Sequence, residues 1–158
     1  MRTLLLFFSI AVLASGCAST RGIRKTKDWE TRGAESDRRL LIGKWFGESP
    51  VQEGGRKTWL MDRSGDGTFV VRFKNLTPSG KIEDESEYGD WGVSGDIYFT
   101  ITRGWIRGGQ KEPVHVRRSY FDDAYVVQKL TAEEFVYKSA ADGDVYTVKK
   151  VPDNFTMP

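Results

Sequence analysis

The sequence predicts an all-β protein in which about eight antiparallel strands form an up-and-down meander and close into a barrel, after a short N-terminal helical turn. Seventeen glycines and an aromatic content of 13% in 158 residues are typical of short strands joined by tight turns. Several segments alternate apolar and polar residues, the pattern of a strand with one buried face. The links between them are short, which favours antiparallel pairing because a parallel crossover needs a dozen residues or more. A two-layer sandwich is the alternative ending for such a meander.

The charge balance and the rare residue types exclude several classes of function. The chain carries 24 lysines and arginines against 22 aspartates and glutamates, a net charge of +2, whereas a dedicated nucleic-acid binder shows a strong basic excess. One histidine and one cysteine exclude most His/Cys metal sites and most catalytic triads. The sequence also lacks a nucleophile elbow, a Walker loop and a zinc motif. It therefore predicts a protein that is not an enzyme and that takes no cofactor, metal or nucleic acid.

The first element is an export signal over residues 1–16. Arg2 precedes an uncharged run of 10 residues, 4–13, whereas a membrane-spanning helix needs about 20. Residues 13–17 (LASGC) resemble the lipobox of bacterial lipoproteins. The resemblance implies a diacylglycerol on Cys17, and because Ala18 follows it implies an outer-membrane lipoprotein on the periplasmic side. The alternative is a plain secretory signal with a chance cysteine.

The rest of the chain divides into a tether, a domain and a tail. Residues 17–34 are predicted to be the lipidated cysteine and a flexible tether, because they carry little apolar material. The barrel domain is predicted over 35–152, with 153–158 as a C-terminal tail. A helical turn is predicted within 35–42, with Ser36 as a possible cap. The strands, separated by turn residues, are predicted at 43–48, 56–62, 67–74, 83–93, 95–102, 117–129, 133–139 and 143–151.

The motif Gly43-Lys44-Trp45 opens the first predicted strand directly after the helical turn. This arrangement resembles the G-x-W signature of lipocalins, and the layout of 35–152 is similar to that of small lipocalin-like bacterial lipoproteins. The resemblance implies a lipocalin-like barrel in which Trp45 packs across the closed end. It also favours the binding of a small apolar or amphipathic ligand, such as a lipid or fatty acid.

Aromatic side chains are the predicted core, and some of them are predicted to line a ligand cavity. Core packing is the default for such side chains, but an eight-stranded barrel has room for one small ligand. In the segment 95–102, alternation places Phe99 on one face with Ile97 and Ile101. The residues predicted to line the cavity are Trp59, Phe73, Trp91, Phe99 and Phe135.

The longest predicted connection, 103–118, is a second candidate site. Long connections in compact domains are often functional, and this one combines basic side chains with a tryptophan. It is predicted to contact anionic headgroups of phospholipid or lipopolysaccharide, or an acidic envelope protein; the alternative is a plain surface hairpin. The residues predicted to make this contact are Arg103, Trp105, Arg107 and Lys111.

Two acidic segments have plainer interpretations. Residues 62–67 (DRSGDG) resemble the start of a calcium loop, but the twelfth position, where an EF-hand needs glutamate, is Phe73. A hairpin turn is therefore predicted there. Alternation places Glu83, Glu85 and Glu87 on one face, which is predicted to lie in solvent and to discourage pairing of strand edges. Contact with a cation or a partner is the alternative for this face.

Two functions follow from these observations. The first is an outer-membrane-tethered barrel that binds a small apolar or amphipathic ligand. The second is a non-enzymatic envelope interaction protein, an assembly factor or an enzyme inhibitor, that acts through surface loops. An open cavity inside the barrel favours the first, and a filled barrel with a conspicuous surface patch favours the second.

Overall fold

A computed structural model describes residues 34–51, 54–115 and 122–158. The predicted export signal, Cys17 and the tether up to residue 33 lie outside the described residues, as do residues 117–121 of the strand predicted at 117–129. Within the described ranges, no helix is long and apolar enough to cross a membrane. The elements are α1 (Ala34–Leu41), β1 (Gly43–Pro50), β2 (Arg56–Arg63), β3 (Thr68–Leu76), β4 (Ile82–Ser94), β5 (Ile97–Arg107), β6 (Gln110–Pro113), β7 (Asp122–Leu130), β8 (Glu134–Ser139) and β9 (Val145–Lys150).

Eight of the strands close into a barrel. Around the barrel they follow the order β1-β2-β3-β4-β5-β7-β8-β9, with β9 returning to pair with β1, and every neighbouring pair is antiparallel. The predicted all-β up-and-down barrel with one short helix is thereby confirmed, and the sandwich is excluded. Each of these eight strands has a partner on both sides, so residues 34–158 contain a complete barrel with its own core.

Inward-facing side chains fill one end of the barrel. Trp45, at the start of β1, is fully buried, and its Nε1 donates a hydrogen bond of 2.9 Å to the carbonyl oxygen of Leu41 at the end of α1. The Arg38 guanidinium of the same helix lies 4.7 Å from the centre of the Trp91 ring. The helix therefore covers this end, which is closed as the lipocalin resemblance implies.

A buried arginine forms the inner layer of the closed end. Arg63 is 1% exposed, and its Nε and Nη2 donate to the Tyr98 hydroxyl at 3.1 and 2.9 Å. The guanidinium also lies 5.7 Å from the centre of the Phe135 ring. This layer separates the packed end from the rest of the barrel interior.

The segment predicted as the longest connection is a β-hairpin over most of its length. β5 continues to Arg107, the chain turns at Gly108 and Gly109, and β6 pairs back antiparallel. Both glycines have positive φ, 56° and 80°, which the favoured two-residue hairpin turn requires. Residues 103–113 therefore form the surface hairpin given above as the alternative to an open connection, because two consecutive glycines act here as a tight turn.

The C-terminal tail packs on the outside of the barrel. The Phe155 ring lies 5.2 Å from that of Phe46 in β1, and Lys74 Nζ in β3 donates to the carbonyl oxygen of Pro158 at 3.0 Å. The tail thereby covers the outer faces of β1 to β3, where apolar side chains would otherwise meet water.

Candidate functional site

The end of the barrel opposite α1 holds an open cavity of about 490 Å³. Each of the eight barrel strands contributes to its lining, because side chains along a strand alternate between the inside and the outside of a barrel. The cavity is the unfilled half of the barrel interior. It is lined by Ser49, Pro50, Val51, Lys57, Trp59, Met61, Val71, Phe73, Asn75, Glu85, Glu87, Thr102, Asp123, Tyr125, Tyr137, Asp144 and Tyr146.

A glycine in β1 makes room for one wall of this cavity. A Cβ atom on Gly47 would lie 2.3 Å from Trp59 Cζ2 and 2.7 Å from a methyl carbon of Val148. The Trp59 ring therefore lies against the backbone of β1, where any other residue would displace it. On its other side the ring meets Tyr146 edge to face, with 5.9 Å between ring centres. Gly47 thus fixes the position of Trp59.

Three tyrosines continue the wall. The Tyr137 ring lies 5.0 Å from that of Tyr125 and 5.4 Å from that of Tyr146. Burial raises the pKa of all three phenols, so they stay neutral well above physiological pH. Together with Trp59 and Phe73 on the same lining, they form what we call the aromatic wall.

Carboxylates gather toward the opening of the cavity. Glu85, Glu87, Asp123 and Asp144 belong to the lining, which among the described residues contains one basic side chain, that of Lys57. We call these four carboxylates the acidic mouth. The lining therefore carries four carboxylates and one ammonium group, although the net charge of the whole chain is +2.

Two members of the acidic mouth are partly removed from water. Burial raises the pKa of Glu87, and repulsion from Glu85 raises it further, although Thr102 Oγ1 donates a hydrogen bond of 3.4 Å to Glu87. Burial likewise raises the pKa of Asp123, with repulsion from Asp122 adding to the effect. Both carboxyl groups therefore hold their protons more tightly than exposed ones do.

Replacing these two carboxylates, as Glu87→Gln with Asp123→Asn, should change how stability depends on pH. A raised pKa in the folded state contributes stability below the ordinary carboxyl pKa, and that contribution is lost as the pH rises through the raised value. The free energy of unfolding of the wild type, relative to the double variant, is therefore expected to fall between about pH 4 and neutrality. Urea unfolding across this range measures it. A difference that does not vary with pH would contradict the partly buried environment of both groups.

The structure divides the predicted cavity residues between the two ends of the barrel. Trp59 and Phe73 lie together on the lining of the cavity. Trp91 and Phe135 do not line it, because both are buried in the packed end. There the Trp91 Nε1 donates to the carbonyl oxygen of Ser64 at 3.1 Å, next to the turn between β2 and β3.

The prediction that Phe99 lines the cavity is wrong. Its ring lies over Gly92 of the neighbouring strand on the outer face, where a Cβ on Gly92 would come within 2.5 Å of it. The next residue back, Tyr98, points inward and is 1% exposed. Polar residues follow on the inner face of β5, so the apolar alternation of this strand marks its outer side.

The acidic mouth was predicted only in part. Alternation correctly groups Glu85 with Glu87, and Glu83 and Glu85 are exposed as predicted. Glu87 is partly buried instead, and Glu85 and Glu87 both line the cavity. Trp91 on the same strand offered the missing signal, because residues 85, 87, 89 and 91 share one face and Trp91 is buried in the core. Asp123 and Tyr125 gave no comparable sequence signal.

The basic residues of the β5–β6 hairpin interact within the molecule. Arg103 pairs with Asp90 at 2.6 Å and Arg107 with Glu112 at 2.8 Å. Arg107 also stacks on Trp105, with the guanidinium carbon 5.5 Å from the ring centre, and Lys111 Nζ lies 4.7 Å from the Tyr88 ring centre. Contact of this hairpin with headgroups or an acidic protein stays a prediction.

Residues 62–67 adopt the predicted hairpin turn rather than a calcium loop. The Asp66 carboxylate accepts hydrogen bonds from the Thr68 amide at 2.9 Å and from its hydroxyl at 2.7 Å, which fixes the turn between β2 and β3. Across the described ranges, no three histidine, cysteine or acidic side chains form a group that could hold a metal ion.

Comparison with known proteins finds no matching family model and no matching curated protein. Solved structures with a similar fold include a lipocalin-like protein from Bacteroides uniformis, which is 14% identical with a TM-score of 0.43 over 71% of this chain and 99% of that one. An uncharacterized protein from Bacteroides eggerthii is 14% identical with a TM-score of 0.40, over 70% of this chain and 98% of that one. A de novo designed fluorescence-activating β-barrel is 16% identical with a TM-score of 0.34, over 71% and 93%. The lipocalin-like fold of this chain rests on its own strand pairing.

Proposed function

We propose that this protein is an outer-membrane-tethered binding protein that holds a small apolar or amphipathic molecule in the open half of its barrel. One observation carries the proposal: the barrel is packed at the end covered by α1 and open at the other, where the cavity measures about 490 Å³. Small-molecule sites commonly enclose about 300–1,000 Å³, so the cavity has the size of a ligand site.

The distribution of side chains in the lining supports an amphipathic ligand. Met61 and Val71 join the aromatic wall, and they give an apolar body a surface to pack against. Charged and hydrogen-bonding groups such as Glu85 and Asn75 also belong to the lining. A molecule with an apolar body and a polar head would satisfy both kinds of surface at once.

A neutral fluorescent probe tests the cavity directly. N-phenyl-1-naphthylamine is expected to bind residues 18–158, which retain the whole barrel, at one site and with a gain in fluorescence. Replacing Ser49 and Asn75 with tryptophan puts two large rings in the lining, and it should weaken binding about tenfold, equivalent to about 1.4 kcal/mol.

A tryptophan on the outer face of β3, the strand that carries Asn75, provides the matched control. Arg72 is exposed on β3 and lies outside the cavity lining, so Arg72→Trp should leave probe binding unchanged. The proposal fails if the wild type does not bind the probe, or if the doubly substituted, folded protein binds it as well as the wild type does.

A further inference from the structure

We propose that the ligand carries an organic cation, an amine or a quaternary ammonium group, which the cavity holds between the acidic mouth and the aromatic wall. This inference rests on the proposed function, because it concerns the same cavity and narrows its ligand class. Four carboxylates and five aromatic rings share the lining of one space of about 490 Å³, and this juxtaposition carries the proposal.

The carboxylates approach the cavity from three parts of the barrel. Glu85 and Glu87 come from β4, Asp123 from β7, and Asp144 from the link before β9. A fatty acid would bring one more negative charge to this group, whereas a cation would reduce the repulsion among its members. The preference for a cation over an anion is strong where the carboxylates are partly removed from water, because charges interact more strongly at low dielectric and are screened less by salt.

The aromatic wall suits the same head group. A cation within about 6 Å of a ring centre is attracted by the negative face of the ring, and aromatic cages recognise quaternary ammonium groups in this way. The chain already contains one such contact in the lining, since Lys57 Nζ lies 4.4 Å from the centre of the Phe73 ring. The rings of Trp59, Tyr137 and Tyr146 provide further surface beside it.

The lining favours an organic cation over a metal ion. Calcium takes six to eight oxygen ligands at about 2.3–2.6 Å, which requires carboxylates to converge on one point. The carboxylates that the structure describes form no such group. A larger cation that spreads its charge over carbon-bound groups can contact carboxylates and rings together.

Three probes with one ring system and different heads test the charge preference. We would titrate 1-naphthylmethyltrimethylammonium, 1-naphthylacetate and neutral 1-naphthylmethanol by calorimetry into residues 18–158 in lipid-free buffer, with protein-free buffer as the blank. The ammonium probe is expected to bind at least about tenfold more tightly than the carboxylate probe at neutral pH.

Charge-neutral variants assign the preference to the acidic mouth. Glu87→Gln with Asp123→Asn should bring the affinities of the ammonium and carboxylate probes to within about threefold of each other. Lys57→Gln removes the internal cation and should tighten binding of the ammonium probe. Asp84→Asn is the matched control, because Asp84 is exposed on β4 and lies outside the lining.

The outcomes separate this inference from the proposed function. If the neutral probe binds but the ammonium probe has no advantage over the carboxylate, or if the double variant keeps that advantage, the cation inference is wrong and the binding function stands. If none of the three probes binds, both are wrong. A cooperative urea unfolding transition shows that each variant has kept its fold.

Discussion

Replacing Trp45 with alanine is expected to lower the free energy of unfolding by about 3–5 kcal/mol. The side chain is 0% exposed, it packs edge to face on Phe135 at 6.1 Å, and its Nε1 is bonded to the Leu41 carbonyl oxygen. Alanine would leave a cavity at the closed end and an unsatisfied carbonyl at the end of α1. Domains of this size are stable by about 5–15 kcal/mol, so the loss is a large share of the total.

Urea unfolding of residues 18–158 measures the effect of Trp45→Ala. Ile82→Ala is the control for removing a large apolar side chain, because Ile82 is 60% exposed, and it should cost under about 0.5 kcal/mol. Trp45→Phe keeps a ring but removes the hydrogen bond to Leu41, so its cost should lie between the two. A loss below about 1 kcal/mol for Trp45→Ala would show that the ring does not hold the closed end together.

Sequence reasoning located the closed end of the barrel because its signals are local. Gly43-Lys44-Trp45 lies directly after α1, and the ring of Trp45 packs against the residues that precede it in the chain. The strand order also follows from short links between neighbours, which leave few alternatives to an antiparallel meander. Both features depend on residues close together in the sequence.

The open end was harder to predict because its interior is polar. Hydrophobic alternation assumes that the apolar face of a strand is the inner one. In β5 the inner face carries Thr100 and Thr102, whereas Phe99 packs outside over Gly92. Over the part of β5 that lines the cavity, the usual pattern is therefore reversed.

The chemistry of the cavity depends on barrel closure. Glu87 and Asp123 are distant in sequence, and they share the lining because β4 pairs with β5 and β5 with β7. Burial raises the pKa of Glu87, repulsion from Glu85 adds to it, and repulsion from Asp123 makes the smallest contribution. Alternation predicts which face of β4 carries Glu87. Its position near Asp123 could not be predicted in this way, because it depends on closure of the sheet into a barrel.

Replacing Cys17 with serine is expected to release the protein from the membrane. The lipobox resemblance assigns the diacylglycerol to this thiol, and each acyl carbon that enters the bilayer contributes about 0.8 kcal/mol. Two or more acyl chains thus outweigh the basic residues of the tether, which contribute about 1 kcal/mol each near an anionic surface. These basic residues are Arg21, Arg24, Lys25 and Lys27. Serine cannot take the lipid, so the variant should remain uncleaved or appear in the soluble fraction.

Fractionation and the intact mass of extracted protein test this together, since the wild type should begin at Cys17 and carry added acyl mass. Ser19→Ala, two residues further on, should leave both unchanged. A serine variant that is cleaved and still sediments with the membrane would contradict the lipid anchor.

If the anchor is present, up to about 60 Å of chain separates Cys17 from Ala34, where α1 covers the closed end. Because α1 lies at the end of the barrel opposite the acidic mouth, a tether that joins the domain at Ala34 does not enter through the cavity opening.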